Sequence, residues 1–302
     1  MSEFIENYQP NISTILFSDS ERDSGICGDS KLRQAVQSFH SDGVVILENI
    51  FSQELISSLY HEYVIRNQRY FSDDLYDDAL HVGNKRMMLQ VEIDGVFNNQ
   101  KLYFHPFLAT ILLNLLGKIF VVGGFGSVVS LPGAGAQHIH RDSGQLFEEM
   151  EGNVVLPPFA ITVAIPLIPL TKKTGSTRIY PGSHRASIEE APAMKYFDPE
   201  IPVGSLVMWD YTVFHGGLAN RSNQVRPLLY LSYCKQWFRD PNYHKHSPIK
   251  MSELNYSLIP EVLKPLFAWS RPTTTYAEET HDLNSPCPCF SGKKYKDCHG
   301  RQ

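Results

Sequence analysis

Residues 137–142 read Gln-His-Ile-His-Arg-Asp, and the pair His140 and Asp142 is the first feature able to do chemistry. On a strand, side chains two apart project from one face, so an imidazole nitrogen and a carboxylate oxygen at this spacing can converge on one ion. A lone His-x-Asp says little in a chain with 12 histidines. His40-Ser41-Asp42 has the same spacing, but it ends a predicted helix before Gly43, so His40 is given a structural or solvent-facing role. His140 and Asp142 are set apart by the residues downstream of them. The run from Asp210 ends in His215, then Gly216 and Gly217, which let the backbone pass close to a bound group. Arg226 then opens an apolar strand. Two imidazoles and one carboxylate are the facial ligand set of non-haem Fe(II) oxygenases, with three coordination positions left open. The planar fork of an arginine grips a carboxylate through two bonds. A 2-oxo acid needs that grip at one end while its other end chelates iron. His138 shares a face with His140 on a strand and is read as supporting a ligand rather than being one.

A second constellation lies at the end of the sequence. Cys287, Cys289, Cys298 and His299 form the pattern C-x-C-x8-C-H. Three thiolates and one imidazole make a closed, tetrahedral structural zinc site, and a segment this short folds only around its metal. Cys27 and Cys234 stand alone and are read as inert, small hydrophobes.

These residues need elements to carry them. Leu32, Ala35, Val36 and Phe39 have helical spacing, and Asp42-Gly43 stops that helix. Val44 to Ile50 reads as a strand, and Ser52 as the N-cap of a second helix. Residues 66 to 86 read as a long loop, and Leu108 to Leu116 as a third helix. From Ile119 the texture changes to short β-rich runs between turn residues: Ile119 to Val122, Ser127 to Leu131, Ala160 to Leu167, Thr177 to Tyr180, Ser205 to Trp209 and Leu228 to Tyr233. This is the pattern of an antiparallel sandwich or barrel preceded by helices. The sequence divides into a large domain over 1–270, a linker over 271–286 that is short of apolar residues, and a zinc-binding tail over 287–302.

The ordered motifs resemble the phytanoyl-CoA dioxygenase family of Fe(II)/2-oxoglutarate enzymes. The resemblance is carried by Gln137 to Asp142, by Gly175 to His184 (similar to the family's Gly-x-Thr-Arg…Pro-Gly-Ser-His segment), by His215-Gly216-Gly217, and by Asn220, Ser222 and Arg226. It covers roughly residues 30 to 240. It implies a double-stranded β-helix, or jelly roll, with His140, Asp142 and His215 holding Fe(II) and Arg226 pairing with the distal carboxylate of 2-oxoglutarate. Gln137 and Thr177 match positions that touch the co-substrate, O2 is the second co-substrate, and His184 is structural. The carboxylate at Asp142 favours hydroxylation, desaturation or ring formation over halogenation. The tail closely resembles the SEC-C motif found at the C-terminus of the bacterial preprotein-translocase ATPase, with Phe290 where glycine is usual.

The implied reaction oxidises a C–H bond of a small metabolite or natural-product intermediate, with release of succinate and CO2. The substrate walls are assigned to residues 66 to 105 and 143 to 160, since binding loops sit on rigid scaffolds. Arg86, Gln90 and Phe147 are the candidate contacts, and Glu148, Glu149 and Glu151 do not favour a coenzyme A ester. The alternative reading is a non-catalytic adaptor whose zinc tail recruits a protein partner. Lys293, Lys294 and Lys296 give that tail a basic face. The net charge of −5 leaves no general footprint for nucleic acid. The opening MSEFIENYQP lacks the basic head and apolar core of a secretory signal, and the apolar region from Phe107 to Leu131 is interrupted by polar residues and glycines, so a cytosolic, non-membrane location is expected.

Overall fold

The structure is a computed structural model of the chain. It describes residues 9–72, 74, 76, 78–147, 156–240, 249–270, 284, 294 and 297. Ten strands carry the site: Ser13–Leu16 (β1), Val44–Glu48 (β2), Leu80–Gly83 (β3), Arg86–Gln90 (β4), Phe120–Ser130 (β5), Ala160–Pro166 (β6), Thr177–Ile179 (β7), Leu206–Asp210 (β8), His215–Gly217 (β9) and Arg226–Lys235 (β10). Eight of them form one sheet in the order β1-β2-β8-β6-β10-β5-β4-β3, and β7 pairs with β9 in a small second sheet. All pairings in the large sheet are antiparallel except β1 with β2.

The large sheet is covered on both faces, which explains why β6 is an unbroken buried run instead of an alternation. Its outer face (Val45, Leu47, Val129, Val163, Met208, Leu229 and Leu231) packs with Ala35 and Phe39 of helix Asp29–Asp42 (α1), Ile56 and Leu59 of Gln53–Asn67 (α2), and Leu108, Ile111 and Leu112 of Pro106–Leu116 (α3). Its inner face places Val44, Ile46, Ala164, Val207, Trp209 and Leu228 against Ile179 and Val213 beside the small sheet. Two sheets facing each other across an apolar core give the jelly-roll fold that the strand pattern implies. The helix ends follow local chemistry. Ser52 caps α2 by accepting from the backbone N–H of Leu55. Gly43 ends α1 in the left-handed region at φ 71°, and a Cβ there would lie 2.6 Å from His184 Nδ1 and from Val213 Cγ2.

Three expectations change. The stretch 66 to 86 is not one loop: it contains β3, which pairs with β4 as an edge hairpin. Leu80, His81 and Gly83 of β3 are exposed, so no burial imposes an alternating pattern that sequence could reveal. The runs 119–122 and 127–131 are one strand, β5, kept continuous by glycines. The register with β10 shifts beside Gly123, where a Cβ would come within 2.8 Å of Cys234 Sγ, while Gly126 leaves room for the Tyr230 ring. Finally, residues 137–142 are not a strand: His140 makes a single antiparallel bridge to His215. No described helix is long and apolar enough to cross a membrane. The linker over 271–286 lies outside the described residues except for Asn284.

Candidate active site

The bridge between His140 and His215 joins the two halves of the metal motif. One imidazole or carboxylate atom from each of His140, Asp142 and His215 lies within 4.8 Å of the other two, the only such cluster among the described residues. His215 Nε2 is 3.5 Å from Asp142 Oδ1. Both imidazoles are oriented from behind in the same way. His140 Nδ1 is 2.9 Å from the carbonyl oxygen of His138, and His215 Nδ1 is 3.0 Å from that of Val213. A carbonyl only accepts, so each Nδ1 carries the proton and each Nε2 lone pair is free for an ion. Burial, reinforced by the facing His215, pushes the His140 imidazole below its ordinary pKa and favours the neutral, ligating form.

Asp142 is divided between two tasks. Its Oδ2 accepts from Thr162 Oγ1 at 2.6 Å and from Trp209 Nε1 at 3.0 Å, and its Oδ1 faces His215. Thr162 and Trp209 are direct cross-strand partners on β6 and β8, so one rung of the sheet supplies both donors. Sequence reasoning missed both. The available signal is that Thr162 is the one hydroxyl residue in the apolar run AITVAIP.

The second half of the site is a row of polar side chains across three strands. Ser130 on β5 pairs with Arg226 on β10 and with Arg86 on β4, so all three side chains share the inner face. Arg226 is 1% exposed, and among the described residues none of its three guanidinium nitrogens has a hydrogen-bond partner. Arg86 is fully buried and donates through Nη2 to the carbonyls of Leu218 (2.7 Å) and Gly135 (3.0 Å), leaving Nε and Nη1 unpaired. Ser130 Oγ is also buried and unpaired. Burial lowers the pKa of Arg226 to about 9, with the Arg86 charge adding to the effect, and burial lowers that of Arg86 to about 10. Two buried cations with open donors and no acid paired with them among the described residues are complementary to a bound anion.

The remaining candidates divide between this row and the surface. Gln137 Oε1 accepts from Gly217 N at 3.0 Å, and its Nε2 donates to the Val82 carbonyl. A Cβ on Gly217 would sit 2.5 Å from Arg86 Nη1 and 2.7 Å from Gln137 Oε1, so Gln137 and Arg86 crowd onto one glycine. Thr177 is buried on β7 directly opposite Gly217. Arg86 therefore stands beside Arg226 and Gln137 rather than on an open substrate wall. Gln90 is exposed at the end of β4, and Phe147 is exposed at the edge of the described loop. His138 supports His140 as expected, but through its backbone carbonyl, and its own ring is exposed. His40 is exposed, and His184 is half-buried with its Nδ1 set against Gly43. Cys27 is half-buried, and Cys234 is buried with its thiol pushed up to about 12. Cys287, Cys289, Cys298 and His299, and likewise Glu148, Glu149 and Glu151, lie outside the described residues.

Comparison with known proteins agrees with this geometry. The family model described as phytanoyl-CoA dioxygenase matches residues 39–228. The chain belongs to the phytanoyl-CoA dioxygenase family. It is an enzyme of that dioxygenase class, as its curated relatives are. It is 27% identical over 224 residues to "Dioxygenase trt7" of Aspergillus terreus, covering 72% of this chain and 78% of that one. It is 22% identical over 244 residues to "Dioxygenase andF" of Emericella variicolor, covering 78% and 85%. Among solved structures, the fold is shared with the alpha-ketoglutarate-dependent carbocyclase SnoK from nogalamycin biosynthesis (TM-score 0.54, 18% identity, 73% of this chain and 93% of that one). It is shared equally with the epimerase SnoN, whose structure was solved in complex with Fe3+, alpha ketoglutarate and nogalamycin RO (TM-score 0.53, 13% identity, 69% and 85%). A SEC-C motif model matches residues 284–301, and 25 residues are 72% identical to the protein translocase subunit SecA of Bacteroides fragilis, covering 8% of this chain and 2% of that one.

Proposed function

We propose that this enzyme is an Fe(II)/2-oxoglutarate-dependent oxygenase that oxidises a C–H bond of a small metabolite or natural-product intermediate, hydroxylation being the simplest outcome. The observation that carries the reading is the pairing of two half-sites. A triad with both Nε2 atoms free meets the needs of Fe(II), and the unpaired Arg86, Ser130 and Arg226 donors meet the needs of a distal carboxylate. When bound, Fe(II) with 2-oxoglutarate and O2 supplies the oxidising chemistry, with release of succinate and CO2.

The chain's own residues do the rest. The carbonyls of His138 and Val213 hold the proton on each Nδ1 and aim the ligating nitrogens. Thr162 and Trp209 occupy Asp142 Oδ2, so the carboxylate offers Oδ1 in a fixed direction. Arg226, Arg86 and Ser130 take the far carboxylate of the co-substrate, with Gln137 and Thr177 lining its path toward the triad. Burial keeps these contacts away from water, where each would be weaker. Gln90 and Phe147 remain proposed substrate contacts. The unit over 1–270 is proposed to be catalytic. Cys287, Cys289, Cys298 and His299 are proposed to hold zinc, supported by the SEC-C match, with a protein partner as the use of that tail.

The test is iron-dependent succinate release from 2-oxoglutarate by the purified chain, with His140→Ala and Asp142→Ala as controls. Release is expected from the parent protein and absent from both variants. Undiminished release from the folded, iron-loaded variants would refute the assignment.

A further inference from the structure

A buried acid that no step above uses is Asp210. Its side chain is 5% exposed, it ends β8, and it lies five positions before His215. Among the described residues its side-chain hydrogen bonds go to its own turn and not to the triad, although its carboxyl lies close enough to Asp142 for their charges to interact. Its Oδ1 accepts from the backbone N–H of Thr212 (2.9 Å) and from Thr212 Oγ1 (2.6 Å), folding residues 210–213 into a tight turn. The backbone closes the same turn: Val213 N donates to the Asp210 carbonyl at 2.9 Å, and Asp210 N donates to the Gly43 carbonyl at 2.8 Å.

Two backbone carbonyls of the turn, and the side chain of the residue just before it, reach toward the metal ligands. The Val213 carbonyl receives His215 Nδ1. The Tyr211 carbonyl receives Ser143 N at 3.1 Å, pinning the chain just after Asp142. Trp209, next to Asp210 in sequence, donates to Asp142 Oδ2 and sets its ring 4.8 Å from that of His215. The turn thus aims His215 directly and bears on Asp142 through Ser143 and the adjoining Trp209, and the Asp210 side chain is the clasp that shapes it. We infer that Asp210 is a positioning residue for the metal centre, acting through the 210–213 turn on His215 and Asp142.

This inference rests on the metal-site reading above, and Mn(II) binding to the full chain separates the two. Mn(II) prefers oxygen and imidazole ligands over thiolates, so the cysteine-rich tail does not compete for it. Loss of the free-ion EPR signal gives the affinity, and the line shape of the bound ion reports ligand symmetry. Asp210→Ala removes the acceptor for Thr212, whereas Asp210→Asn keeps an oxygen in its place. The expected result is a loss of roughly 10- to 100-fold in Mn(II) affinity with a changed line shape for Asp210→Ala, the range typical when a ligand's support is removed. Asp210→Asn should stay within about threefold of the parent. If Asp210→Ala does not fold, Thr212→Val, which removes one of the two donors, is read in its place against the same Asn variant. Unchanged affinity and line shape in the alanine variant, or in its valine substitute, overturns the inference, as does failure of asparagine to restore them. Absence of Mn(II) binding by the parent, or binding that survives His140→Ala, overturns the metal-site reading instead.

Discussion

At the scale of single residues, the most informative group is the unpaired guanidinium of Arg226. A buried cation with every donor open is costly in the free protein, and a bound carboxylate relieves that cost. Arg226→Ala should therefore act mainly on the co-substrate. Losing two charge-assisted bonds, each worth about 1.5 kcal/mol, raises the 2-oxoglutarate KM roughly 100-fold, with a smaller effect on iron affinity. Arg86→Ala should act in the same direction, because Arg86 faces the same row through Ser130. Steady-state kinetics in 2-oxoglutarate, with iron affinity measured in parallel, decide this; an unchanged KM in both variants removes the row from the co-substrate site. The sequence made the triad and Arg226 legible because each sits in a local pattern, such as His-x-Asp or the glycines after His215. It did not make the partners of Arg226 legible. Arg86 and Ser130 join it only through strand register, and nothing near either residue in the chain announces the pairing. Thr162 and Trp209 were hidden for the same reason.

At the scale of elements, helix α3 carries a pH-sensitive start. His105 is its N-cap, and the Nδ1 of His105 accepts from Phe107 N at 3.3 Å. Accepting requires the neutral ring, and burial lowers this imidazole to about 4 from an ordinary 6.5. Between those values the unfolded chain binds a proton that the folded chain refuses. The contribution is thus present above pH 6.5 and is lost as pH falls toward 4, amounting in full to about 3 kcal/mol. His105→Asn keeps a capping acceptor without a titrating ring. Urea unfolding at pH 7 and pH 5 should show the parent losing about 2 kcal/mol more than the variant over that interval. Equal losses would mean that His105 does not set the acid sensitivity of this helix. The helices themselves were readable from spacing and caps, since α1, α2 and the core strands each bury a defined face. The hairpin of β3 and β4 was not. Its edge strand is exposed, and its turn uses Lys85 at φ 53° in place of the glycine that usually marks such a reversal.

At the scale of the whole molecule, the question is where the catalytic unit ends. The family match stops at residue 228, yet the described fold continues. β10 runs to Lys235 in the middle of the large sheet, and Leu263, Leu266 and Phe267 are buried in the same core as the helices, with Phe267 edge-on to Tyr103 at 4.9 Å. Removing residues before 268 would open this core, whose described buried members all lie at or before residue 270. The tail carries four candidate zinc ligands and few apolar residues, so it is proposed to fold on its metal. A chain ending at residue 270 should therefore keep iron-dependent succinate release within about twofold of the parent and melt within about 2 °C of it, since distant and independent parts contribute additively. It should also lose the roughly one zinc per chain that a closed four-ligand site retains through dialysis. Metal analysis and thermal unfolding of both forms check this. A truncated chain that melts many degrees lower, or loses its iron-dependent activity, would mean that the tail docks on the jelly roll and belongs to the catalytic unit.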